Sequence, residues 1–359
     1  MEKTPLEGWI AGKIECLSGD PTENDIRQYQ LERLRETINY AAENSPFYRS
    51  RLRGFSAADL RTINDLELFP FTRPQDIREK GPQFLCVSQS EIERVVTLPS
   101  SDGTEQPRRL YFTGEDLELT MDFFFHGMSS LVNPGQRVLI LMPGPRPNSV
   151  GNLLSRALTL MGVEGIVHGF VQDPSKAIRE ILLQNIDCII GLPFQVLSIA
   201  KHSAAEEIPP GQIKSILLSP DACMNSPNVP AAIVSELQRI WNCPVFNHYG
   251  TTEMCFGGGV ECWALRGFHL READLYFEIV EPDSGAPLPQ NELGEIVFTT
   301  LTRKGMPLIR YRTGHLARFL SEPCPCRTVL RRMENVRGRM YDASVHSVSF
   351  GRKSVPTRS

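Results

Sequence analysis

Between Val138 and Leu218 short apolar runs alternate with amphipathic stretches, and this rhythm limits the fold more than any other feature of the chain. Val138 to Met142 is an apolar run closed by Pro143-Gly144-Pro145-Arg146-Pro147-Asn148, after which Leu153, Leu154, Ala157, Leu158 and Met161 keep helical spacing. The order repeats. A helix over Ala177 to Gln184 leads into a strand over Asp187 to Ile190, then a helix over Phe194 to Ala200 and a strand over Ile213 to Leu218. Such alternation predicts an α/β architecture in which helices cover a sheet and ligands gather beyond the carboxyl ends of the strands. After Val245 the texture changes to strands over Leu275 to Val280 and Glu295 to Leu301, separated by the turn-rich Glu281-Pro282-Asp283-Ser284-Gly285. A β-rich subdomain is expected there. Upstream, Ile26, Leu31, Leu34, Ile38 and Ala41 mark an amphipathic helix that Ser45-Pro46 stops.

Bulk properties narrow the chemistry. The 359 residues carry a formal net charge of −4, so composition forces no basic surface and gives a nucleic-acid partner no electrostatic support. Small molecules are the expected partners. Met1 opens a polar stretch without the apolar core of a signal peptide, and the most apolar window, Ile186 to Ala200, is too short and broken to span a bilayer. A soluble, cytoplasmic protein with no membrane partner is therefore expected. Nine cysteines, an odd number scattered along the chain, fit reduced thiols better than a disulfide framework. Cys16, Cys86, Cys188, Cys223, Cys243 and Cys255 read as buried or incidental thiols. Cys262, His269, Cys324 and Cys326 are different, because three thiolates and an imidazole match a closed tetrahedral zinc set. Spacing alone leaves this open, since paired cysteines also occur as plain buried thiols.

The chemistry-bearing segment is Asn247-His248-Tyr249-Gly250-Thr251-Thr252-Glu253. It offers an aromatic face for a purine, a glycine that lets backbone approach a ligand, two hydroxyls for phosphate oxygens and a carboxylate for a divalent cation. The segment follows the apolar Val245-Phe246, and Leu217-Leu218-Ser219-Pro220-Asp221 is a second strand end opening into a loop. Both loops are placed to line one crevice. Read as residues alone, the first segment is also compatible with an ordinary strand-to-loop turn holding a satisfied carboxylate.

With Gly294-Glu295-Ile296-Val297-Phe298-Thr299-Thr300-Leu301-Thr302 and Pro307-Leu308-Ile309-Arg310-Tyr311-Arg312-Thr313-Gly314-His315, the stretch from about Leu31 to Arg339 resembles the phenylacetate-CoA ligase-like branch of the acyl-adenylate-forming superfamily. Members activate a carboxylic acid with ATP and pass it to coenzyme A. The resemblance implies the large adenylation domain of that fold over residues 1–338, an acid-thiol ligase reaction, and ATP or AMP, Mg²⁺ and coenzyme A as ligands. It implies that Tyr249 stacks on adenine, that Thr251 and Thr252 meet the nucleotide phosphate and that Glu253 holds Mg²⁺. Ser219, Pro220 and Asp221 would edge the adenine, Asn247, His248 and Gly250 belong to the same nucleotide-binding segment, and Arg312 and Arg339 would help hold the nucleotide. Some relatives carry a structural metal at positions matching Cys262, His269, Cys324 and Cys326, which favours zinc there. Relatives are often dimers, and a homodimer is expected by that association alone.

Three departures accompany the resemblance. The phosphate loop, usually rich in Ser, Thr and Gly, here reads Ser100-Ser101-Asp102-Gly103-Thr104-Glu105-Gln106-Pro107-Arg108. Ser100, Ser101, Gly103, Thr104 and Arg108 remain available to a triphosphate, whereas Asp102 and Glu105 would repel it. His315 stands where relatives have an aspartate that takes both ribose hydroxyls, and losing that charge-assisted contact costs about 1.5–3 kcal/mol. Relatives also continue past the hinge, here Gly338-Arg339, into a lid domain that supplies a lysine; residues 339–359 read as a hinge remnant with an unstructured tail. These departures keep a rival in view, a degenerate nucleotide- or acyl-binding relative without catalysis, and behind it a zinc-stabilised structural domain with a vestigial crevice. His126, among the aromatics Phe123 to Phe125, reads as a satisfied histidine on a packed helix near any acyl pocket.

Overall fold

In the computed structural model, which describes residues 2–16, 18–99, 107–220 and 229–340, the alternation becomes the parallel part of a nine-stranded sheet. In spatial order the parallel strands are Glu164–Val167, Arg137–Leu141, Cys188–Gly191, Ser215–Leu218 and Val245–Tyr249. Successive residues point to opposite faces, and each face has its own core. Val138, Ile140, Ile190 and Leu217 pack with the helices Gly114–Met128 and Val150–Leu160. Leu139, Leu141, Ile189, Ile216 and Leu218 pack with the helices Pro174–Gln184, Pro193–Ala200 and Ala231–Trp241. Covering both faces explains why these strands read as unbroken apolar runs.

Beyond Val245–Tyr249 the sheet turns antiparallel through Gly259–Glu261, Phe268–Leu270, Arg332–Met333 and Phe319–Leu320. The change of direction falls on the strand that carries Asn247, His248 and Tyr249. A separate antiparallel sheet joins Leu275–Val280, Gly294–Thr300, Tyr311–Ala317 and Gly338–Arg339, the β-rich part that the sequence predicts. Gly338 and Arg339, expected in a hinge, form its edge, with Arg339 opposite His315. Residues 341–359 lie outside the described residues.

The long amphipathic helix spans Glu23–Asn44. Thr22 and Asp25 cap it reciprocally, Asp25 accepting from the Thr22 amide at 2.8 Å and donating its own amide to Thr22 Oγ1 at 3.2 Å. Ser45 ends it and begins the next helix, Pro46–Arg51, by accepting from the Tyr48 amide. Two long-range ties matter later. On the first helix, Pro5–Lys13, the buried Glu7 carboxylate accepts from Thr328 Oγ1 and from the Val329 amide at 2.9 Å. Arg310, in the left-handed region at φ 47°, is almost wholly buried and donates to both Glu278 carboxylate oxygens, at 2.8 and 3.2 Å, and to the carbonyls of Glu67 and Phe69.

Candidate functional site

The strand Val245–Tyr249 delivers its last residues into a tight loop. Gly258 N–H returns to the Tyr249 carbonyl at 2.9 Å, while Thr252–Met254 forms a single 3-10 turn with Cys255 and Phe256 in the left-handed region. Only glycine fits at 250, where an added Cβ would stand 2.8 Å from Gly257 Cα, the Phe256 carbonyl oxygen and His248 Cε1. The loop therefore holds Thr251, Thr252 and Glu253 in one fixed arc at the carboxyl end of the sheet.

Glu253 is buried and its Oε1 accepts from the Tyr311 hydroxyl at 3.1 Å. Arg108 lies against both, with Nη1 3.3 Å from Glu253 Oε1 and 2.9 Å from the Tyr311 oxygen. Burial and the Glu253 charge push the Tyr311 phenol well above its ordinary range, so it stays a donor. Arg303 fixes the turn from behind, donating to the Glu253 carbonyl at 3.0 Å and lying over the Phe112 ring. Thr251 Oγ1 is buried without a hydrogen-bond partner among the described residues, a hydroxyl able to donate or accept two positions before Glu253. Sequence reasoning named Arg108, Thr251 and Glu253 but gave no role to Tyr311 or Arg303; for Tyr311 the signal was its place inside the 307–314 motif.

Tyr249 and His315 meet here in an unexpected way. The Tyr249 ring is 2 % exposed, packed between Phe268 and His315, and its hydroxyl lies 3.2 Å from His315 Nδ1. Stacking on adenine would require one face of this ring to be uncovered. Burial, with Arg339 and Arg108 nearby, holds the His315 imidazole neutral, down at about 3. The remaining residues named from sequence divide. Asn247 is held inward, its amide and Nδ2 both donating to Glu261 Oε2 at 2.8 Å. Arg312 is taken up by Glu295, at 2.6 Å from Nε, and by the Pro282 carbonyl. Ser219 and Pro220 directly follow the neighbouring strand, Ser219 Oγ lying 3.2 Å from His248 Nδ1. Ser100, Ser101, Gly103, Thr104 and Asp221 lie outside the described residues.

Beside this loop lies a half-open apolar cavity with about 470 Å³ of atom-free space, part of it open to solvent, walled by side chains such as Phe123, Phe124, Leu154 and Phe256, with Ser219 and His248 on its lining. His126 does not reach it. Its ring stacks on Trp9 at 5.5 Å and its Nε2 lies 3.5 Å from Asp122, the satisfied histidine expected from sequence.

Away from the cavity, Cys262, His269, Cys324 and Cys326 converge, all buried, with their ligand atoms within 4.8 Å of one another. Cys262 Sγ lies 3.7 Å from Cys324 Sγ and 3.3 Å from His269 Nε2, which is 3.5 Å from Cys326 Sγ. Tetrahedral bonds of about 2.3 Å to sulfur and about 2.0–2.1 Å to nitrogen separate ligands by roughly 3.5–3.8 Å. The donor set and its spacing thus fit a four-coordinate zinc ion.

Comparison with known proteins gives the architecture a lineage. The chain is 30 % identical over 339 residues to phenylacetate-coenzyme A ligase of Pseudomonas putida, covering 90 % of this chain and 73 % of that protein. The chain belongs to the phenylacetate-coenzyme A ligase family. The ligase of that name from Thermus thermophilus is 29 % identical over 331 residues, spanning 88 % of this chain and 71 % of the relative. No family model matches. Among solved structures, an open conformation of 2-hydroxyisobutyryl-CoA ligase superposes with a TM-score of 0.79 over 89 % of this chain and 76 % of the other, at 19 % identity. The phenylacetate-coenzyme A ligase family member described here therefore shares the fold of acyl-CoA ligases, as the sequence resemblance implied. The amide bond synthetase McbA from Marinactinospora thermotolerans is more distant, with a TM-score of 0.51 over 71 % of this chain and 50 % of that one, at 18 % identity.

Proposed function

We propose that this chain is an ATP-dependent acyl- or aryl-CoA ligase whose residues 1–338 form the large adenylation domain. An oxygen of the acid's carboxylate attacks the α-phosphorus of ATP, the bond to the β-phosphate oxygen breaks, and pyrophosphate leaves. The coenzyme A sulfur then attacks the acyl carbon and AMP departs. The observation that carries this reading is the convergence of Glu253, Thr251, Tyr311 and Arg108 at the strand ends, next to an apolar cavity, in a member of this family. Glu253 supplies the hard oxygen that Mg²⁺ requires, and the ion bound there would neutralise charge on the phosphates. Thr251 and Thr252 offer hydroxyls to the α-phosphate, and Arg108, beside Glu253, is placed to meet a phosphate oxygen. Carboxylate-dependent exchange of labelled pyrophosphate into ATP, run over aryl and alkyl acids, tests the proposal; no exchange with any acid, alongside retained AMP binding, would favour the non-catalytic binding relative. That rival has its own support in the covered Tyr249 ring and the paired Glu253.

His315 gives a sharper check on the nucleotide's pose. His315→Asp keeps an acceptor for the Tyr249 hydroxyl and adds a charge-assisted one for the ribose, in surroundings where Arg339 and Arg108 favour a negative charge. AMP should bind about tenfold more tightly to this variant by calorimetry. Unchanged affinity would mean that the ribose lies elsewhere.

The zinc proposal concerns stability. With four protein ligands there is no open position for water, so the ion would tie strands Gly259–Glu261 and Phe268–Leu270 to the segment at 324–326. About one equivalent of zinc should co-purify, and Cys324→Ser with Cys326→Ser should abolish it and lower Tm by roughly 5–10 °C. A metal-free wild type of equal stability would exclude the ion. The proposal places the protein in the cytoplasm, in line with its free cysteines. No described helix is long and apolar enough to cross a membrane. The homodimer remains part of the proposal and is testable by light scattering.

A further inference from the structure

The apolar cavity contains one polar anomaly. Its lining is otherwise aliphatic, aromatic or thioether, from Phe123, Met128, Met142, Leu154, Phe256 and their neighbours, yet His248 and Ser219 stand in the same wall. Ser219 Oγ lies 3.2 Å from His248 Nδ1, which occupies one side of the imidazole. The other nitrogen, Nε2, is buried and has no hydrogen-bond partner among the described residues. A buried imidazole nitrogen without a partner is unfavourable by about 1–3 kcal/mol, and native structures seldom leave one so without a ligand or water to meet it.

The chemistry of the missing partner follows from the tautomers. If Ser219 donates to Nδ1, the proton sits on Nε2 and the partner must accept; if Nδ1 donates to Ser219, Nε2 is bare and the partner must donate. A hydroxyl does either. Burial keeps the ring uncharged, down at about 4, so there is no imidazolium to compensate a second carboxylate in this cavity. Among the described residues no acidic side chain lines the cavity either, which disfavours an ammonium group.

We infer that the acid accepted by this chain is a compact apolar acid carrying one hydroxyl group, which meets His248 Nε2 while the hydrocarbon fills the cavity between Phe123 and Phe256. This rests on the ligase reading for the reaction, but the recognition is a binding property and stands or falls by itself. The carboxylate to be adenylated faces Thr251 and Glu253; the hydroxyl selects which acid enters. His248 is thus a specificity-determining residue, and Ser219 positions it by holding Nδ1 and so orienting the ring.

Matched acids provide the test. Phenylacetate and its 2-, 3- and 4-hydroxy derivatives are titrated into the full chain by calorimetry, with binding read directly and pyrophosphate exchange measured in parallel. At least one hydroxylated acid should bind roughly tenfold or more tightly than phenylacetate. In His248→Leu that ratio should fall to about one, and in Ser219→Ala it should shrink without vanishing; thermal melts verify that each variant is folded. If wild type binds all four acids equally, or if His248→Leu weakens all four in equal proportion because Nε2 meets the common carboxylate, the inference is overturned. Failure of exchange with intact selective binding would instead remove the ligase reading and leave the recognition standing.

Discussion

Glu253→Gln should lower the rate of pyrophosphate exchange by about a thousandfold while leaving AMP binding within a few fold. The amide is isosteric and still accepts from the Tyr311 hydroxyl, 3.1 Å from Oε1, so the loop geometry survives. What disappears is the negative charge that would hold a divalent cation against the phosphates. Removing one such electrostatic group from a preorganised site typically costs about 10²–10³ in rate, and here the loss of a metal ligand adds to it. Because Arg108 is itself drawn to Glu253, the variant also weakens that contact while the one to the Tyr311 hydroxyl persists. Raising Mg²⁺ concentration should restore part of the rate in Glu253→Asp but none in Glu253→Gln. A Glu253→Gln enzyme with unchanged exchange would place the cation, and with it the reacting phosphate, somewhere else.

Arg310→Met should destabilise the protein by about 3–5 kcal/mol, visible as a lower urea midpoint at unchanged m. Arg310 looks from sequence like one more basic residue in the 310–315 motif, yet it contacts no part of the cavity or the Glu253 cluster described above. Its guanidinium bridges Glu278 to the Glu67 and Phe69 carbonyls, with the Phe71 ring 4.0 Å beneath it. Burial raises the Glu278 carboxyl even with this cation against it. Without Arg310 the acid would take up a proton rather than remain a buried charge, and two carbonyls would lose their donor. The double variant Arg310→Met with Glu278→Met should recover only part of the loss, since the carbonyls remain unpaired. Full recovery would show that the ion pair alone carried the effect.

The parallel strands were legible because both faces are covered, which turns Val138–Leu141 and Cys188–Gly191 into uninterrupted apolar text. Glu164–Val167 was missed because it lies at the sheet edge with a charged first residue and only four residues of length. Gly259–Glu261 and Phe268–Leu270 were missed for another reason. Their Glu261 and His269 are polar by letter but interior by position, Glu261 accepting from Asn247 and Gly267 and His269 joining three thiols. No local pattern separates such residues from surface ones. At the site, Tyr249, Thr251 and Glu253 could be named because their chemistry is carried in one short segment. Arg303 and Tyr311 reach Glu253 across 50 and 58 residues, and the contact of His315 Nδ1 with the Tyr249 hydroxyl spans 66. Pairing at that range depends on register, which the sequence does not display.

The tie between Glu7 and the Thr328 hydroxyl joins positions 321 residues apart. During biosynthesis at about 5–20 residues per second, the opening helix emerges on the order of tens of seconds before its anchor is made. Trp9 meets its partners Asp122, Phe123 and His126 well before that, so the helix can settle on Gly114–Met128 while its tie to Thr328 is still to come. Synthesis thus docks this helix in two stages, its apolar face first and its buried carboxylate second, and Glu7 waits for the Thr328 hydroxyl and the Val329 amide until the distant segment that carries them has been made.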